Sequence, residues 1–110
     1  MSMADPVTTM PTAEMAMRRL RLDDDLLLDV QDAIPQAHAE AQAYLDGVLY
    51  GTEDERASAG DDKGVICTPD IIQAQLLLVD AAVGGNTVKD ADAKREAAVK
   101  ILRRHRNQGA

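Results

Sequence analysis

Thr68-Pro69-Asp70-Ile71-Ile72-Gln73-Ala74-Gln75-Leu76-Leu77-Leu78-Val79-Asp80-Ala81-Ala82-Val83 is apolar around nearly its whole circumference. Its opening has the chemistry of a helix start: Thr68 as N-cap, Pro69 at the first helical position and Asp70 in the positive first turn. Gly84-Gly85-Asn86 follows, and the expectation is that a glycine closes the helix in the left-handed conformation. About four turns fit between these marks. A run this short does not span a bilayer. The stretch therefore predicts a helix buried at the centre of a small bundle.

The rest of the composition agrees with a bundle. The 110 residues correspond to one domain, with no Trp, no Phe and only Tyr44 and Tyr50 as aromatics. The core must then be aliphatic, and the many alanines favour helix and close helix approach. No alternating run of β-branched and aromatic residues predicts a strand. The reading is all-α, a small four-helix bundle-like domain with helices near residues 13–21, 24–49, 69–84 and 90–106 and no sheet of consequence.

Cys67 is the one cysteine, so no intramolecular disulfide forms, and beside Val65 and Ile66 it reads as a small buried hydrophobe. The first residues have neither the basic nor the apolar region of a secretory leader. The formal charge of −7 is uneven: residues 1–88 hold sixteen acids against five Lys/Arg, and residues 89–110 hold three against seven. The first region thus carries −11 and the second +4. A chain divided in this way can meet an acidic surface with one end only.

Taken in order, residues 1–12 predict a flexible arm, small and polar with Pro6 and Pro11. Thr12 caps a short helix with Met15, Met17 and Leu20 as apolar positions and Arg18, Arg19 and Arg21 near its end. Asp23 is the expected N-cap of the second helix, with Asp24 and Asp25 crowding its positive end. Metal binding by these three acids is disfavoured, because consecutive helical side chains diverge and no calcium-type loop follows.

Leu26, Val30, Ala33, Ala37, Ala41, Tyr44 and Val48 recur at three- and four-residue steps and give the second helix one apolar face. Pro35 falls inside it. Proline removes a backbone donor, but the period continues, so the expectation is one kinked helix. His38 and Glu40 fall on its polar side, and His38 has no second His or Cys at metal spacing. Gly51 to Gly64 reads as a long loop, with five acids against two bases.

On the central helix, at about 100° per residue, Asp70, Gln73 and Asp80 form a narrow polar stripe that contains Leu77. Gln75 lies opposite, among Ile71, Leu78, Val79 and Ala82. A buried amide needs partners or costs about 1–3 kcal/mol. The pairing of an outward leucine with an inward amide predicts a helix covered by more than its own chain. Thr87 and Asp90 have capping-box spacing before the last helix, with Asp92 as an alternative cap. Ala91, Ala97, Ala98, Ile101 and Leu102 form that helix's apolar side. Lys100, Arg103, Arg104, His105 and Arg106 crowd its C-terminal end, where cations suit the dipole.

No nucleophile–base set, phosphate loop, dinucleotide fingerprint or zinc spacing is present in the sequence, so neither enzyme activity nor a cofactor is expected. A basic helix end can also serve a small helical nucleic-acid-binding or regulatory protein. The net charge and the lack of a clear recognition helix disfavour that alternative.

Met17-Arg18-Arg19-Leu20-Arg21-Leu22-Asp23, then Asp24-Asp25-Leu26-Leu27 opening a long helix that ends in Ala43-Tyr44-Leu45-Asp46-Gly47, form an ordered pattern. The proline-led helix from Thr68 to Val79 and the closing Ala97-Ala98-Val99-Lys100-Ile101-Leu102-Arg103-Arg104-His105-Arg106 complete it. Over residues 13–106 this pattern resembles the small helical head–tail connector (head-completion or adaptor) proteins of long-tailed bacteriophages. It differs from them at Asp80-Ala81-Ala82-Val83-Gly84-Gly85-Asn86, where an aromatic stretch is common, and at Pro35.

The resemblance implies a structural, non-enzymatic protein of the virion's head–tail junction, present in the host cytoplasm during assembly. Such proteins form a ring beneath the portal, typically with the portal's twelve-fold symmetry, that extends the DNA channel. The ring presents a platform for a downstream neck or tail-completion protein. DNA passes without specific binding, which an acidic lumen suits, and no membrane is involved. In this reading Lys100, Arg103, Arg104 and Arg106 are the candidates for docking on the portal. Leu77, Asp23, Asp24, Asp25, Glu53, Asp54 and Glu55 are the candidates for contact between subunits.

Overall fold

The computed structural model describes residues 9–106. The chain is predominantly helical. Helix α1 spans Ala13–Leu20, α2 Leu27–Leu45, α3 Glu53–Ala59, α4 Pro69–Val83 and α5 Val88–Arg103. Two short strands, β1 Leu49–Tyr50 and β2 Val65–Ile66, pair in parallel on either side of α3.

Helix α4 lies at the centre, against α5, α2 and α1. Ile71, Ala74, Gln75, Leu76 and Val79 have no exposed surface. Their partners include Ala16 from α1, Val30, Ala41 and Leu45 from α2, and Ala98 and Leu102 from α5. The buried alanines on α1, α2 and α5 explain how slender helices close over α4 without aromatic filling.

The helix starts follow local chemistry. Thr12, Thr52 and Thr87 each accept the N–H of the residue three positions on, at 3.1 Å. Pro69 opens α4 as expected, whereas the Thr68 hydroxyl donates to the Asp70 carboxylate instead of accepting a backbone N–H. Asp23 makes no side-chain cap, and a 3₁₀ turn at Asp24–Leu26 precedes α2. Helix α2 runs unbroken through Pro35 and ends at Leu45, where Asp46 takes the left-handed conformation at φ 56°. The expected extension to residue 49 fails there. Val48 leaves the apolar face and is exposed, while Leu49 enters the strand and is buried.

Two further expectations are corrected. Gly84 is extended, with φ −68° and ψ 160°, so no left-handed glycine closes α4. The Asn86 amide donates to the Asp80 carbonyl at 2.7 Å and supplies the stop. The stretch from Gly51 to Gly64 is not a loop. It carries α3, capped by Thr52 at one end and by left-handed Gly60 at the other. Gly64 lies under the Tyr50 ring, where a Cβ would sit 2.5 Å from a ring carbon. Of the arm expected over residues 1–12, residues 1–8 lie outside the described residues. Pro11 is buried, and the Thr9 carbonyl is bonded to α4.

Candidate functional site

The Gln75 amide is fully buried in α4, and its partners come from distant parts of the chain. Its Nε2 donates to the Thr9 carbonyl at 2.8 Å. His38 of α2 places Nδ1 3.1 Å from the same carbonyl and 3.3 Å from Gln75 Oε1. The Cys67 thiol reaches that carbonyl as well, at 3.7 Å. One backbone oxygen thus joins α2, α4 and the residue after β2. His38 is therefore half-buried in a structural node and not a solvated surface group. Among the described residues no buried side-chain polar atom lacks a partner. The amide needs no second chain to satisfy it.

Leu77 is also explained within the chain, since it is half-buried and packs against the core. It does not form an outward patch, and the inference of an extra cover on α4 loses both of its grounds. Cys67 is buried as expected. Burial, and then the charge of Asp70, push its thiol up to about 11, so it is no thiolate nucleophile at neutral pH.

The remaining charged candidates divide between two ends. Helix α4 contacts α2 in antiparallel fashion, so its C-terminal residues Ala82 and Val83 lie against Asp29, Asp32, Ala33 and Gln36 in the first half of α2. These six residues enclose an open groove of about 310 Å³. Asp23, Asp24 and Asp25, all exposed, precede α2 at this end. The other end of α4 meets the C-terminal end of α5. There the His105 Nε2 and an Asp70 carboxylate oxygen are 2.7 Å apart, and the Arg106 guanidinium lies 5.4 Å from the centre of the Tyr44 ring. A hydrogen bond from Thr68, then one with His105, holds the Asp70 carboxyl below the usual carboxylate range.

Lys100 and Arg103 of α5 and Arg104, its C-cap, fall on one side at three- and four-residue spacing, and all are exposed. They take part in no ion pair with another described residue, and neither do Asp29 and Asp32. Two other cations of the basic region, Lys94 and Arg95, are committed internally. Lys94 pairs with Asp80 at 2.9 Å, and Arg95 with Glu40 of α2 at 2.7 Å. Fifteen residues of α4 separate the two ends, which is about 22 Å at the helical rise.

The acids proposed for subunit contact do not form one surface. Asp23, Asp24 and Asp25 precede α2, whereas Glu53, Asp54 and Glu55 lie beyond its opposite end, in the first turn of α3. There Glu53 pairs with Arg56, and Glu55 accepts the Gly51 N–H at 3.1 Å. Asp29 and Asp32, which line the groove, did not stand out in a chain with nineteen acids. An i, i+3 acid pair on the open face of α2 is the signal that marks them.

Among the described residues, no group of three or more His, Cys, Asp or Glu side chains is arranged to hold a metal ion. Among the described residues no helix is long and apolar enough to cross a membrane. Comparison of the chain with protein-family models, with curated proteins and with solved structures finds no match.

Proposed function

We propose that the chain is a structural subunit of a phage head–tail connector, assembling as a ring at the portal and offering a platform to the next neck or tail component. The observation that carries this reading is that an unpaired acid pair and an unpaired cation cluster lie toward opposite ends of α4. Asp29 and Asp32 lie at one end of α4, and Lys100, Arg103 and Arg104 belong to the helix whose C-terminal end lies at the other. Such a subunit is suited to heterologous contacts, in which two different patches meet and repeated rotation closes a ring. A two-fold dimer that set each acidic end on the other copy's basic end would use up both patches, whereas a rotational contact leaves one of each open at every step. The helical order of the sequence pattern adds support. Within the ring, the basic stripe is offered to an acidic surface, and both the portal and a neighbouring copy lie within reach of a ring subunit.

The test is complementation. Filled heads produced without this protein should fail to join tails, and added purified protein should restore joining. Joining that proceeds equally well without the protein removes it from the junction. Tight binding of the purified protein to free DNA would favour a nucleic-acid-binding role for the basic helix instead.

A further inference from the structure

We infer that the groove between α2 and α4 receives the Lys100, Arg103 and Arg104 stripe of a second copy of this chain. This rests on the ring reading above and names the acidic surface that the basic stripe meets. The groove has three properties that fit that occupant. Ala33, Ala82 and Val83 give it small apolar walls, along which the methylene stems of Arg and Lys can lie while their charged heads stay at the rim. Asp29 and Asp32 stand one turn apart, with Gln36 a turn further on, and Lys100, Arg103 and Arg104 are spread over one turn of α5. Beside the groove, α2 leaves Leu28 73% exposed, and the first residue of α5, Val88, is 80% exposed at the same end of α4. Aliphatic exposure beside unpaired carboxylates is the surface expected for an amphipathic cationic partner.

The chain cannot fill this groove with its own stripe. The stripe leads to the far end of α4, about one helix length of 22 Å away. A second copy can fill it, and in doing so presents its own empty groove to a third. The contact is directional and repeats without self-complementarity, as ring closure requires.

A cysteine pair tests the contact in assembled particles. Gln36→Cys together with Arg104→Cys places one thiol at each side of the joint and leaves four of its five charges, Asp29, Asp32, Lys100 and Arg103, in place. Native Cys67 is buried, and each single variant controls for it. Mild oxidation of particles carrying the double variant should give a ladder of covalent multimers that the single variants do not give. Charge exchange supplies an independent reading. Asp29→Lys with Asp32→Lys, or Arg103→Glu with Arg104→Glu, should each lower ring occupancy at least about tenfold. The four changes combined should bring it back to within about twofold of wild type, with circular dichroism unchanged throughout. A ring that remains on particles while no ladder forms and neither reversal lowers occupancy overturns the groove contact and leaves the ring reading intact. Wild-type particles without a ring overturn both.

Discussion

The node around Gln75 and the excursion from Leu49 to Ile66 place their polar bonds in opposite ways. Gln75 and His38 join chain positions 29, 37 and 66 residues apart, and they do so against the buried face of α4. In the excursion, Tyr50 bonds Asp61, Arg56 bonds Glu53 and the Gly64 carbonyl, and Gly51 bonds Glu55, so each of these side-chain bonds spans 11 residues or fewer. Helix α3 buries none of its residues. The difference teaches where cooperativity resides. Breaking the node should loosen several helices at once, whereas breaking the excursion should open a more local unit.

The largest effect should come from the node. Gln75→Ala leaves a cavity and deprives the Thr9 carbonyl of its 2.8 Å donor. We expect a loss of about 3 kcal/mol in denaturant unfolding. Hydrogen exchange should accelerate in α2 and α4 together. A loss confined to residues 9–11 would show that the node is a tether and no keystone.

An intermediate effect is expected in the excursion. Gly64→Ala puts a Cβ 2.5 Å from the Tyr50 ring and 2.9 Å from Arg56 Cγ, so the ring must move. Overpacking of this kind costs about 1–2 kcal/mol. Exchange should rise over residues 49–66 while α4 stays protected. Equal acceleration in α4 would erase the distinction between the two regions.

The smallest effect is a pH dependence where α4 meets α5. Asp70 has its carboxyl pKa lowered by the Thr68 and His105 hydrogen bonds. Its contribution is therefore present above the unfolded value of about 4 and is lost as pH falls through the lower folded value. Wild type should lose more stability than Asp70→Asn on acidification from about pH 5 to pH 3. Identical acid profiles would remove Asp70 from the account. The carboxylate is partly solvated, so the difference should be modest.

The same contrast explains what the sequence disclosed. The central helix was legible because Thr68, Pro69 and an apolar run of four turns all mark it. Gln75 was legible as a buried amide in search of partners. Its partner was not, because a backbone carbonyl 66 residues away leaves no side-chain signature. The excursion was missed because two-residue strands are too short to alternate and an unburied seven-residue helix has no apolar period. Its caps were nonetheless written in the chain: Thr52 and Glu55 stand at capping-box spacing, and Gly60 takes the left-handed stop. At the candidate contact surfaces, the exposed cations of α5 were legible as a cluster. The groove was not, since it exists only when the ends of α2 and α4 meet.

The ring is the central claim, and imaging of filled heads with and without this protein tests it most directly. The account predicts added density coaxial with the portal, built of repeated copies related by rotation and each joined to the next through unlike faces. Heads that carry the protein with no such ring, or copies paired by two-fold contacts, would contradict it.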